Sequence, residues 1–393
     1  MFNDLLPHWI RNLEKSDLQK ALETTSNPDV ISFSLGRPDN NLLTIPDLKN
    51  YEDLLTSRNL QYSLPSPELK AHIAELMQER NIFCTPNQIF LTTGAQQAMT
   101  LLTRFLAAAD DNILVDQVAY PGYIQIAQAT HANLIPIPVC FQNGIIIEEL
   151  KKIIEENKKP SLIYTMSEGH NPLGLSLSKE QRIELVKLAE QYRIPIVEDD
   201  AYGLLNYETV EAPLKSYWNE GVFYIGSFSK IIAPSMRVGW IIAPESIMEK
   251  LEILKEGLDI KTSTLSQKFI SHFFTTGDLK EHILKLRKEY KDKRDIMIKS
   301  LKKYIPEMEF SSPKSGFFIW GKLPSSINTN RLFKLALEKE NVSFLPGSAF
   351  LIGKREEIHN CLRLSFAFCP KELIEAGIRR LAKAIKNIRG PCK

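Results

Sequence analysis

The sequence predicts an α/β protein: a mostly parallel sheet covered by helices on both faces, with a smaller α+β domain after it. Three observations predict this. Short apolar runs rich in β-branched and aromatic residues, such as "VFYIGS" at 222–227, are separated by segments with helical periodicity. Such runs suit parallel strands buried on both faces. After about residue 245 the pattern changes to long helices followed by a few short strands.

The elements follow in order. Residues 8–26 read as a charged helix. "VISFSLGRPD" (30–39) reads as a short strand entering a Gly-Pro loop. "SPELKAHIAELMQERN" (66–81) has helical spacing, with Pro67 suited to the first turn. "QIFLTTG" (88–94) is a strand that stops at glycine, and "AQQAMTLLTRFLA" (95–107) is a helix. Strand 112–116, helix 123–130, strand 161–166 and helix 178–193 come next, then strands 194–200, 222–227 and 238–244. Ser178 and Gln181 suit a capping box at the start of one of those helices. Beyond 245 come "SIMEKLEILKEGL", a helix from about 278 to 303, and "GFFIWGKL" (316–323). A helix at 330–340, a strand near 342–345, "CLRLSFA" (361–367) and a helix at 370–388 complete the chain. The expected organisation is an N-terminal arm (1–45) packed on the small domain, a large domain (46–280) and a small domain (281–393).

Composition excludes several function classes. The 49 basic and 47 acidic residues leave a net charge of +2, which gives no pull toward nucleic acid or an anionic membrane. The N-terminal stretch lacks a basic region followed by an apolar one, so no signal peptide is expected. No apolar run reaches about 18 residues, so no membrane-spanning helix is expected. Five cysteines without CxxC spacing argue against a disulfide framework or a zinc site, and point to a reducing cytoplasm.

In a mostly parallel sheet, ligands bind beyond the carboxyl ends of the strands. The residues expected there are chemically complementary. Gly94, Ala95 and Gln96 open a helix, whose free N–H groups suit a phosphate. Ser227 and Arg237 add a hydroxyl and a guanidinium fork. Tyr120 supplies a ring for stacking on a flat group. Asp199 in "EDDAY" needs a cationic or protonated partner if buried. Lys230 follows Ser-Phe-Ser in an apolar stretch, where a lowered pKa makes its amine a nucleophile toward an aldehyde. Phosphate, flat protonatable ring and aldehyde are the parts of pyridoxal 5'-phosphate.

The motifs "SLGRPD", "LQYS", "TTGAQQAM", "AYPGY", "HNPLG", "VEDDAYG", "SFSKIIAPSMRVGW", "SGFFIW", "LPGSAF" and "LRLSFA" occur in this order over nearly the whole chain. Together they resemble the class I/II aminotransferases of PLP-dependent fold type I. The likeness is greatest to the kynurenine/α-aminoadipate aminotransferases and the aminotransferase-like part of MocR regulators. The resemblance implies that Lys230 forms a Schiff base with the cofactor and shuttles the substrate's α-proton. It implies that Asp199, rather than Glu198 or Asp200, pairs with the pyridine nitrogen. Tyr202 and Asn171 would bond the phenolic oxygen, and Ala95, Gln96, Ser227, Ser229 and Arg237 would hold the phosphate. Arg363 would grip the substrate carboxylate, with Gly36 giving the N-terminal loop room to approach. Tyr62 would reach the phosphate of a neighbouring subunit, which makes the expected assembly a homodimer with shared sites. His170 is expected beside the site without a proton-transfer role. Arg37 either faces water or reads an acidic substrate side chain.

The chain departs from the family pattern at several points. Leu173 stands where threonine is usual, and "MSEGH" lacks a proline. "SLPSPELK" lacks a glycine and has Lys70 for a common arginine, and Ser315 stands where glycine is frequent. The leading expectation is ping-pong transfer of an amino group between an L-amino acid and a 2-oxo acid. Elimination, cyclisation, decarboxylation or oxidative deamination on the same scaffold is the alternative. A ligand sensor descended from MocR regulators is a third reading, set back by the balanced charge.

Overall fold

The computed structural model describes residues 2–11, 27–43, 55–57, 59–156, 159–209, 211–276, 278–353 and 358–389. The charged helix expected at 8–26 appears as His8–Arg11, and its remainder lies outside the described residues.

The strands in chain order are β1 (Ile31–Ser32), β2 (Ile89–Thr92), β3 (Asn112–Asp116), β4 (Asn133–Ile137), β5 (Val139–Cys140), β6 (Gly144–Ile145), β7 (Leu162–Thr165) and β8 (Ile196–Asp199). They continue as β9 (Val222–Ser227), β10 (Gly239–Ile242), β11 (Glu309–Phe310), β12 (Phe318–Lys322), β13 (Val342–Ser343), β14 (Leu345–Pro346) and β15 (Cys361–Ser365). The large sheet has the order β2-β10-β9-β8-β7-β3-β4. Its pairs from β9 to β4 are parallel, and only β10 runs antiparallel to both its neighbours. Every residue of β7, β8 and β9 is buried, as a sheet covered on both faces requires. Glu198 and Asp199 are therefore charged groups inside a fully buried strand, an arrangement that demands partners.

A second sheet has the order β11-β12-β15-β14. The N-terminal segment joins that half of the molecule, because β1 pairs in parallel with β13, Ile31 opposite Val342. The run at 342–345, expected as one strand, is two. Its first half pairs with β1 and its second with β15, so the chain changes sheets at Phe344. The stretch 316–323, given no element type from sequence, forms β12 from Phe318, and Gly316 ahead of it adopts a φ of +78°. Strand β4 was not anticipated. It is an edge strand containing Pro136, and proline is tolerated only at such an edge. The helices Ile147–Glu156 and Thr264–Thr275 were also not anticipated. The helix Lys179–Tyr192 carries the expected capping box of Ser178 and Gln181. Among the described residues no helix is long and apolar enough to cross a membrane.

Candidate active site

The sheet brings the predicted residues to one rim. The turns after β2, β3, β7, β8 and β9 carry Gly94, Tyr120, Asn171, Tyr202 and Lys230 in turn. Strand β10 runs the other way, so its first residue, Gly239, lies at the same rim, opposite Ser227 and Thr92. Arg237 thereby joins the group from the opposite direction. Between them lies a cleft of about 200 Å3. Its walls include Lys230, Asp199, Tyr202, Asn171, Tyr120 and Arg363. Gly36, Ala95, Gln96, Ser227, Ser229 and Arg237 line it too, whereas Gly94 and Tyr62 of the expected set do not. Met99, Met166, Ala201 and Pro234 also line it; all but Met166 lie within the quoted motifs, although none carried an expected role.

Lys230 ends the 3-10 turn Phe228–Lys230 directly after β9, and its Nζ donates to Gly36 O at 2.8 Å. Burial, and then the Arg237 guanidinium, lower its pKa to about 8, while Asp199 opposes the shift. A substantial fraction of this amine is therefore neutral near pH 7–8.

The three acids of "EDD" have separate fates. Glu198 accepts from Ser167 Oγ at 2.5 Å and from the N–H groups of Leu214 and Lys215 at 2.8 and 3.0 Å. Asp200 accepts from Arg80 Nη2 and Tyr224 Oη, both at 2.9 Å. Asp199 alone faces the cleft. Its Oδ2 accepts from the Tyr164 hydroxyl at 2.8 Å, and Tyr164 is stacked on Tyr123 with centroids 3.4 Å apart. Its Oδ1 is buried and has no partner within bonding geometry, although the Ala201 N–H lies near enough to favour the charge. Burial raises the Asp199 pKa to about 6. Tyr164 was not anticipated as part of the site. Its one signal was a tyrosine hydroxyl in the strand-like run "SLIYTM", which does not reveal the direction it faces.

Gly94 caps the helix Ala95–Leu106 at a φ of +78°, a conformation side chains rarely adopt. A Cβ there would also lie 2.6 Å from Arg237 Nη2. The glycine thus lets a guanidinium lie against a helix N-terminus, two cationic features at one place. Ser227 Oγ accepts from the Ser229 N–H at 3.2 Å and keeps its own proton to donate. The Tyr120 hydroxyl is 3.4 Å from Gln96 Oε1.

Across the cleft, Arg363 is buried on β15 and donates from Nη1 to Asn171 Oδ1 at 2.7 Å. Its Nη2 donates to Ser34 O, and its buried Nε has no partner. With Oδ1 of Asn171 so engaged, the amide Nδ2 is left to donate elsewhere. The Tyr202 ring is buried edge-on against Phe317 and Phe318, 5.3 and 5.6 Å away. His170 is turned from the cleft toward Asp116, with Nε2 3.0 Å from Asp116 Oδ2, while its Nδ1 accepts from the Leu173 N–H. Arg37 is exposed and lies over the Phe368 ring at 3.9 Å. Tyr62 is 75% exposed and does not line this chain's cleft.

The family model of the class I and II aminotransferases matches residues 28–381. The chain is 34% identical over 389 residues to aromatic-amino-acid aminotransferase 1 of Thermococcus litoralis, covering 95% of this chain and 92% of that protein. A solved kynurenine aminotransferase of Pyrococcus horikoshii is 29% identical, with a TM-score of 0.91 over 98% of each chain. The α-aminoadipate aminotransferase of Thermus thermophilus is 27% identical, with a TM-score of 0.89 over the full length of both. The chain belongs to the class I and II aminotransferases, enzymes that depend on pyridoxal 5'-phosphate.

Proposed function

We propose that this cleft moves an amino group between an L-amino acid and a 2-oxo acid, with Lys230 as the amine that holds the cofactor and carries the proton. The observation behind this reading is that Lys230 and Asp199 line the same cleft, and that Asp199 keeps a buried oxygen, Oδ1, without a hydrogen-bond partner. The residues present fit the cofactor. An orphaned buried carboxylate oxygen calls for a ring N–H, and the Gly94 turn with Arg237 and Ser227 calls for a phosphate. When bound, pyridoxal 5'-phosphate supplies an electron sink for charge developed at the substrate α-carbon.

The chain's own residues do the rest. Asp199, held by Tyr164, would pair with the ring nitrogen and favour its protonated form. Tyr202 and Asn171 would hold the phenolic oxygen, and Tyr120 would hold the ring. Ala95, Gln96, Ser229, Ser227 and Arg237 retain the phosphate. Arg363 orients the substrate by its carboxylate, which fixes the α-C–H bond relative to Lys230 Nζ. Lys230 Nζ would be the base that takes the proton from the substrate α-carbon and holds it for return. Tyr62 serves a second copy of the chain, so the working unit is a cytoplasmic homodimer. The arm, large domain and small domain divide near residues 45 and 280, and closure between them would exclude water. The names of the relatives favour an aromatic amino acid, kynurenine or 2-aminoadipate as donor.

Lys230→Ala tests this directly. Steady-state transamination should fall by about a thousandfold or more. Unchanged turnover would sink the assignment.

A further inference from the structure

Two of the departures noted in the sequence meet in the structure. Glu168, in "MSEGH", is fully buried, and its Oε1 accepts from the hydroxyls of Ser315 and Ser176. Its Oε2 accepts from Arg182 Nη2 at 2.7 Å, and Arg182 is fully buried too. The charges are thus paired away from water, where losing a partner is costly.

This cluster sits at the base of the turn that carries Asn171. Leu177 N donates to Ser167 O at 2.9 Å, His170 N to Leu175 O at 2.8 Å, and Gly174 N to His170 O at 2.7 Å. Glu168 and Ser176 face each other across that closed turn. Ser315 belongs to the other side, in the segment that leads into β12. Strand β12 pairs with β15, with Trp320 opposite Arg363. Gly169 and Gly316 let the two segments touch, since a Cβ on Gly316 would lie 3.0 Å from Gly169 O. The turn is therefore tied at its base to Ser315, through Glu168 and through Ser176 Oγ at 3.3 Å, and at the cleft to β15, through Asn171 and Arg363.

We propose that Glu168 and Ser315 are positioning residues for this reaction, whose mutual hydrogen bond sets Asn171 against Arg363 and so shapes the seat of the substrate carboxylate. The inference rests on the roles proposed above for Asn171 and Arg363. A glycine at 315 removes one donor from the buried carboxylate and both hydroxyl contacts of Ser315 to the turn, those to Glu168 and Ser176. Arg182 and Ser176 stay in place, so the fold survives.

The test compares the cofactor-loaded wild type with Ser315→Gly, Glu168→Gln and the double variant. The donor is whichever of L-phenylalanine, L-2-aminoadipate and L-leucine the wild type turns over fastest with 2-oxoglutarate. In Ser315→Gly the KM for that donor should rise about tenfold, equivalent to about 1.4 kcal/mol, with kcat within about threefold. Adding Ser315→Gly to Glu168→Gln should change KM less than about twofold further, because the shared bond is already altered. A second readout needs no substrate. An amide donor favours the ionised phenolic oxygen, so a displaced Asn171 moves the pH midpoint of the cofactor's visible absorbance upward. An unchanged KM together with an unchanged midpoint in Ser315→Gly overturns the proposal. So does a fall in melting temperature alone, or additivity in the double variant. If the wild type transaminates none of the donors, the aminotransferase reading itself fails, and the midpoint shift alone decides the positioning claim.

Discussion

Arg363 and Asn171 are bonded at 2.7 Å although 192 residues separate them, and the bond joins β15 to the turn after β7. The arginine spends one nitrogen on Asn171, another on Ser34 O, and keeps Nε free. A lysine has the charge but not the fork. Arg363→Lys should raise the KM for the amino donor by about ten- to a hundredfold, measured at saturating oxo acid. An unchanged KM would remove Arg363 from the substrate site.

Asp199 costs stability in the cofactor-free protein. Its pKa rises from 3.8 to about 6 because it is buried, so the folded state disfavours its charge. The penalty is absent below about 3.8 and complete above about 6, where it amounts to roughly 3 kcal/mol. Asp199→Asn should therefore raise the melting temperature of the cofactor-free protein at pH 7, with the gain fading as pH falls toward 4. The same variant should lose about a hundredfold or more in kcat. A variant that is less stable at pH 7 and equally active would contradict both halves.

Lys230 gives a pH dependence of the opposite kind. Only the neutral amine can attack an aldehyde. Its pKa of about 8 means that the cofactor-free protein should capture pyridoxal 5'-phosphate faster as pH rises, about tenfold per unit below 8, then level off. Stopped-flow absorbance reads this rate. A midpoint near the ordinary lysine value of 10.5 would show that burial and Arg237 do not act as described.

The placement of Tyr62 on the surface makes the shared-site proposal testable by mixing. A heterodimer of Tyr62→Ala and Lys230→Ala chains should keep one complete site, with about half the wild-type activity, while each homodimer is impaired. If Tyr62 acted within its own chain, the heterodimer would have no complete site; if it had no role, the Tyr62→Ala homodimer would keep full activity.

Much of the site could be read in the sequence because the chemistry sits at strand ends, where glycine, proline and polar residues break apolar runs. Lys230, Asn171 and Tyr202 each follow such a run, and all line the cleft. The choice among Glu198, Asp199 and Asp200 rested on spacing, and the structure separates them by partners that lie far off in sequence, Ser167 for one and Arg80 for another. Tyr164 stayed hidden because residues inside a fully buried strand carry no pattern that tells one face from the other. Strand β4 was missed because Pro136 argues against a strand unless its edge position is known. Ser315 and the proline-free "MSEGH" segment were visible as departures, but the meeting of Ser315 with Glu168 depends on the packing of two sheets.

The most direct measurement is the visible absorbance of the cofactor-loaded protein during addition of single amino acids, with no oxo acid present. Transamination predicts that a donor abolishes the visible band stoichiometrically and that a 2-oxo acid then restores it. A band that persists while product accumulates over many turnovers would contradict amino-group transfer and point to elimination, cyclisation or oxidation in the same cleft.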